Sequence, residues 1–301
     1  METKSSITST HGIILVIGVV LLLLALVVPT IPTRFSYGFF WSMMILFGVM
    51  HGVGDIDEIE TLYQKKSKTT LIAIYSGLMI ITALGRFLAP LITTIIFVIV
   101  GAYHFGNEHR DVYEIHTSLT PLHNTLRWAC VLIPLIGFQR AYSSSLLTPI
   151  LWTIEVSSTL IRWVYAIAVV ARISMHGYLY SSKWVSIIAT EVSLVAIIGL
   201  LAYTTNFYIS FGFYFGIAHG LPQIITLSGS SLQNMKSQYL DLLTSYPVMI
   251  LWTIGVWVVR YLLASYRFPS AELMIIFLMF LGILTIPHVL MEQFSHIIDS
   301  R

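Results

Sequence analysis

Apolar residues in this chain come in runs of about twenty, separated by short polar breaks. A helix that crosses a bilayer needs about 20 consecutive apolar residues. On that rule the pattern predicts about ten spans, near 12–30, 36–54, 69–86, 88–106, 125–142, 158–176, 184–204, 207–226, 244–264 and 271–292. A short interfacial or re-entrant piece is expected over 143–157. The first run follows "METKSSITSTH", is long, and lacks a small-residue cleavage pattern, so it reads as a first span and not a signal peptide. Polar connections are short and no boundary stands out. The expected fold is all-α: a polytopic integral-membrane helical bundle forming one transmembrane domain over residues 1–301.

Composition agrees. The chain is 56% hydrophobic and 10% charged, with a mean hydropathy of +0.83, against about 25% charged residues in a soluble domain. Net charge is +2 and no basic patch occurs, so no nucleic-acid partner is expected. The single cysteine, Cys130, excludes an intrachain disulfide and a cysteine metal site. Lys4, Lys65, Lys66, Lys68, Arg110, Lys183 and Lys236 fall on the N-terminal side of the expected bundle. Arg34, Arg86, Arg140, Arg260 and Arg267 fall on the other. The positive-inside rule then places the N-terminus in the cytoplasm of a multi-pass cell-membrane protein.

Candidate chemistry sits at the ends of four runs. "MHGVGDIDE" places His51 at the end of the second span, "AYHFGNEH" places His104 at the end of the fourth, "GIAHGLPQ" places His219 late in the eighth, and "TIPHVLMEQ" places His288 late in the tenth. All four are even-numbered spans, so the four imidazoles would share one depth on one side of the membrane. Each has an acid or amide four residues on: Asp55, Glu108, Gln223 and Glu292. On a helix, i and i+4 share a face, where such a partner can accept a ring N–H and fix the tautomer, or act as a ligand itself. Neutral imidazole is the commonest ligand for iron, copper and zinc. A charged group at a helix centre costs roughly 2.5–3.5 kcal/mol in a bilayer, which makes polar residues at membrane depth functional candidates.

Other residues carry weaker signals. His11, His116, His123 and His296 read as solvated loop or interface positions. His109 and His176 are reserve ligand candidates. Glu155 and Glu191 read as structural, Glu191 through an arginine inside the bundle. "FYISFGFYFGIAH" brings Phe211, Phe213, Tyr214 and Phe215 up to His219, either as lipid packing or as the wall of a tunnel for a long conjugated substrate.

In "HGVGD", "HFGNE", "HGLPQ" and "PHVLM" the chain resembles the Brp/Blh family of integral-membrane β-carotene 15,15'-dioxygenases, whose marks occur in the same order relative to the apolar runs. The resemblance implies cleavage of the central double bond of β-carotene by O2 to two retinals, with Fe(II) bound by histidines. Carried over by position, His51, His104 and His219 would be ligands. Asp55 matches the acid of the first motif, Glu108 stands near that of the second, and His288 matches the last histidine. The expected partners are the lipid bilayer, the carotenoid, O2 and a rhodopsin receiving retinal. One departure stands out: where the family has a second histidine four residues on, this chain has Gln223. Either His288 completes the site, or coordination differs, or the metal is not held. Two other classes stay open. One is another membrane lipid oxidoreductase, although no His-x-x-His-His box occurs. The other is a non-catalytic carrier or transporter using the same histidine cluster.

Overall fold

The computed structural model describes residues 2–28, 30–48, 68–107, 119–138, 157–179, 184–227, 282–283 and 285–291. Among these residues the chain is all-helical, with no strand. In chain order the helices are α1 (Glu2–Val27), α2 (Thr33–Met43), α3 (Lys68–Leu88), α4 (Pro90–Asn107), α5 (Thr120–Gly137), α6 (Ser158–Leu179), α7 (Trp184–Thr204), α8 (Phe207–Gly212) and α9 (Leu221–Leu227). Two π-helical stretches extend them: Met44–Gly48 continues α2, and Phe213–Gly220 joins α8 to α9. The first eight apolar runs thus each hold a helix. Residues 285–291 are helical within the tenth run, and the ninth lies outside the described residues.

Helix ends explain where hydropathy and structure part. α1 and α5 begin before their apolar runs, because a run marks greasy side chains while a helix is defined by its backbone bonds. α5 starts on Thr120–Pro121, and proline near the first helical position fits, since its missing N–H would be unpaired there anyway. His11 and His123 therefore lie inside helices and are buried. This corrects their reading as solvated.

Among the described residues two helices are long and apolar enough to cross a membrane, through Thr10–Val27 at mean hydropathy 2.8 and Ser158–Met175 at 1.3. Large apolar side chains point outward from the helices: Leu23 and Leu26 on α1, Trp163 and Ile167 on α6, Ile81 and Phe87 on α3.

Chain contacts gather into two compact units, 1–46 with 102–144 and 153–222, and 47–101 with 145–152 and 223–301. In the first unit α7 packs against α1, α5 and α6, and α8 packs on α2. Cys130, Ala168 and Val195, one from each of α5, α6 and α7, form a buried cluster. Beside this trio the Arg172 guanidinium of α6 donates to the Glu191 carboxylate of α7, both buried, as expected of Glu191. Tyr165 of α6 also donates to the Val195 carbonyl at 2.9 Å. In the second unit α3 stops where Pro90 opens α4, and Met291 packs on Leu71 with Tyr75 and Leu78 alongside.

Candidate metal and polyene site

The site starts from the pairing of α2 with α8. Asn206 caps α8, its side-chain oxygen accepting from the Ile209 N–H at 3.2 Å. Such a cap stabilises a helix by about 1 kcal/mol. The same Asn206 donates through Nδ2 to Ser36 Oγ at 2.7 Å. One residue on along α2, the Tyr37 and Tyr208 hydroxyls share a hydrogen bond of 2.9 Å. These bonds fix the start of α8 on α2. Further along, the two backbones close in: a Cβ on Gly212 would stand 3.1 Å from Phe40 Cα, and one on Gly216 would stand 2.6 Å from Met43 Cβ. Small residues at such crossings let helix backbones approach closely.

Along α8 and the following π segment, aromatic rings build a column towards His219. Phe207 stacks on Phe211 at 4.9 Å and Phe211 on Phe215 at 4.2 Å. Phe215 then meets His219 edge-on at 6.1 Å, while Tyr214 lies nearly parallel to His219 at 6.2 Å and 23°. All of Phe213–Gly220 is buried. Phe213 leaves this wall, since its ring reaches Gly18 of α1.

His104, in the last turn of α4, completes the picture. Its ring stands 5.4 Å from that of His219, at 82°. Phe105 touches both rings, edge-on at 5.3 Å to His104 and 5.1 Å to His219, and packs on Tyr214 and Phe215 as well. Its place at the hub was not read from the sequence; its position inside "HFG" was the available signal. Gly106 lets α4 approach α5, for a Cβ there would fall 2.5 Å from the Asn124 carbonyl oxygen. Next to it His123 Nδ1 lies 3.4 Å from Asn124 Oδ1.

The separation of the two imidazole rings is close to what a shared ion would need. With a metal–nitrogen bond of about 2.0–2.1 Å, as for imidazole on zinc, two rings at a right to tetrahedral angle have centres about 4.5–5.3 Å apart. The observed 5.4 Å stands just above that range, so a shared ion would need a slightly longer bond or a slightly wider angle. Among the described residues no group of three or more His, Cys, Asp or Glu side chains gathers to hold a metal. His288 is buried in the helical 285–291 stretch of the second unit. Gln223 lies on α9, and its side chain is outside the described set. His51, Asp55, Glu108 and Glu292 lie outside the described residues, as do His109, His116, Glu155 and His296; of His176 only the backbone, on α6, is described.

The two π-helical stretches are a further signal that the sequence period did not reveal. Met44–Gly48 ends three residues before His51, and Phe213–Gly220 contains His219. π-turns inside α-helices are rare and occur frequently at functional sites.

Residues 42–296 match a family model described as Beta-carotene 15,15'-dioxygenase. No curated protein and no solved structure matches the chain.

Proposed function

The chain belongs to the β-carotene 15,15'-dioxygenase family, and from that premise we propose that it is a multi-pass membrane enzyme that uses Fe(II) and O2 to split the central double bond of β-carotene into two retinals. The observation that carries this reading is the His104–His219 ring pair inside an aromatic shell. The two residues come from separate family-like motifs. The bundle is one transmembrane domain of about ten spans with its N-terminus in the cytoplasm. Its outward apolar side chains on α1, α3 and α6 support a lipid surround.

His104 and His219 would hold the iron as neutral imidazoles. His51 and His288 would complete the set, with Asp55, Glu108, Gln223 and Glu292 fixing ring tautomers. When bound, Fe(II) supplies the electrons that make O2 reactive towards an alkene. The balance needs no other reductant: one C=C and one O2 become two C=O groups. Phe105 keeps both imidazoles in place by packing on their edges. Tyr214 and Phe215 offer aromatic faces against which a polyene can lie, with Phe211 extending that wall. Phe213 supports it from behind through α1. Burial of these rings excludes water from the reacting carbons. Substrate and product are hydrocarbon-like, so both would pass laterally through the bilayer, and retinal would go on to a rhodopsin.

The test is expression in cells that make β-carotene, with retinal measured by chromatography and iron measured in the detergent-purified protein. Retinal production with bound iron is expected. Iron without retinal would point to a different carotenoid or lipid substrate. Neither iron nor retinal would favour the carrier reading.

A further inference from the structure

We propose that Gly216 and the π winding around it are the device that aims His219 at His104, which makes Gly216 a positioning residue for the metal. This inference rests on the proposed function above.

The backbone is the first ground. After Gly212 the helix changes from α to π and stays so through Gly220, and the Leu221 N–H reaches back five residues to the Gly216 carbonyl. A π-turn takes one residue more than an α-turn. One residue of α-helix is about 100° of rotation. The same sequence wound as α would therefore turn His219 well away from the face it now shares with Phe105 and His104. The winding decides where the imidazole points, while α8 itself stays fixed by Asn206 and Tyr208.

The second ground is the contact that sits inside the π segment. A Cβ on residue 216 would stand 2.6 Å from Met43 Cβ and 3.0 Å from the Met43 carbonyl oxygen. Part of that obstacle is backbone, so it cannot swing aside as a side-chain tip would. Any larger residue at 216 must push the π segment off α2, three residues before His219. Met43 is itself the last residue before the other π stretch. One close approach thus joins the point where α2 changes winding to the inside of the second π segment. Gly212 is a useful contrast. It lies on the same stripe, but in the α part, and its would-be Cβ is 3.1 Å from Phe40 Cα.

The experiment compares iron occupancy at fixed free Fe(II), and the absorption spectrum of the Co(II)-loaded protein, in detergent-purified full-length wild type, Gly216→Ala, Gly212→Ala and Gly216→Ala/Met43→Gly. Supporting groups around a metal typically change affinity about 10–100-fold. Gly216→Ala should lose at least about tenfold in iron affinity and show an altered Co(II) spectrum, and Gly212→Ala should keep both near wild type. Met43→Gly should restore part of the iron binding to the Gly216→Ala background, because it removes the nearest atom, Met43 Cβ at 2.6 Å, and leaves only the backbone contacts at 3.0 Å and beyond. Wild-type iron binding in Gly216→Ala overturns the inference. So do equal losses at 212 and 216, which would make the stripe plain packing, and a double variant that folds yet binds no iron. Failure of both 216 variants to fold overturns it too, since the contact would then carry the fold and not the aim. Absence of iron from the wild type would instead sink the functional reading itself.

Discussion

Two places in the first unit set polar side chains among apolar helices, and they treat them in different ways. Between α6 and α7, Arg172 and Glu191 cancel each other as a direct ion pair. Around the π segment, His104 and His219 face each other across 5.4 Å with Phe105 against both. A buried charge pair is closed: each member is the other's partner, and taking either away leaves an uncompensated ion. The two imidazoles stand in an edge contact, at a spacing close to the one the proposed shared iron would need. The first arrangement holds helices together, and the second is the pair assigned above to the proposed iron.

That contrast can be broken by substitution. The largest effect is expected at the histidines: His104→Ala or His219→Ala should lower retinal formation at least about 100-fold, the order expected when a metal ligand goes, since even outer supports cost 10–100-fold. Thermal unfolding of the metal-free protein should shift little. A large loss of stability with activity retained per folded molecule would reverse the assignment.

The ion pair should show the mirror image. Glu191→Gln leaves Arg172 charged and buried, a change that costs about 3–5 kcal/mol. The double change Glu191→Gln/Arg172→Met should recover most of this. Both can be followed by denaturation in detergent, and iron per folded chain should stay at the wild-type level. Iron lost in proportion to the charge change would mean that the pair belongs to the site.

A smaller effect is expected at Phe105→Ala. It removes the ring that packs on both imidazoles, so iron affinity should fall by about tenfold, within the usual range for a supporting group. Unchanged iron binding, measured at limiting Fe(II), would reduce Phe105 to ordinary packing. The smallest is Tyr37→Phe, which loses one hydrogen bond and about 1 kcal/mol of stability, with retinal formation unchanged. A drop in activity there would extend the functional region to the far end of the aromatic column.

Much of this was legible in the sequence, for reasons that also mark the limits. Apolar runs located the helices because a helix that is apolar all round shows as one continuous greasy stretch; 184–204 matches α7 at both ends. The arginine partner of Glu191 followed from the cost of an isolated charge in such a bundle. His104 and His219 stood out as polar groups closing apolar runs, and the family match over 42–296 agrees with the four motifs. Winding was not legible. π and α segments use the same residue types, and "FYFGIAHG" carries no period that separates them. Burial of His11 and His123 was missed as well. Hydropathy ends where polar residues begin, whereas α1 and α5 extend beyond that edge and neighbouring helices cover it. The Thr120–Pro121 start of α5 was the cue that would have placed His123 inside a helix.

The central claim is that His104 and His219 share one iron. Iron stoichiometry of the detergent-purified protein, reconstituted anaerobically with Fe(II), tests it most directly in wild type, His104→Ala and His219→Ala. The account expects about one iron per chain in the wild type, in line with one shared site, and almost none in either variant. Full iron in both single variants, or none in the wild type, would contradict it.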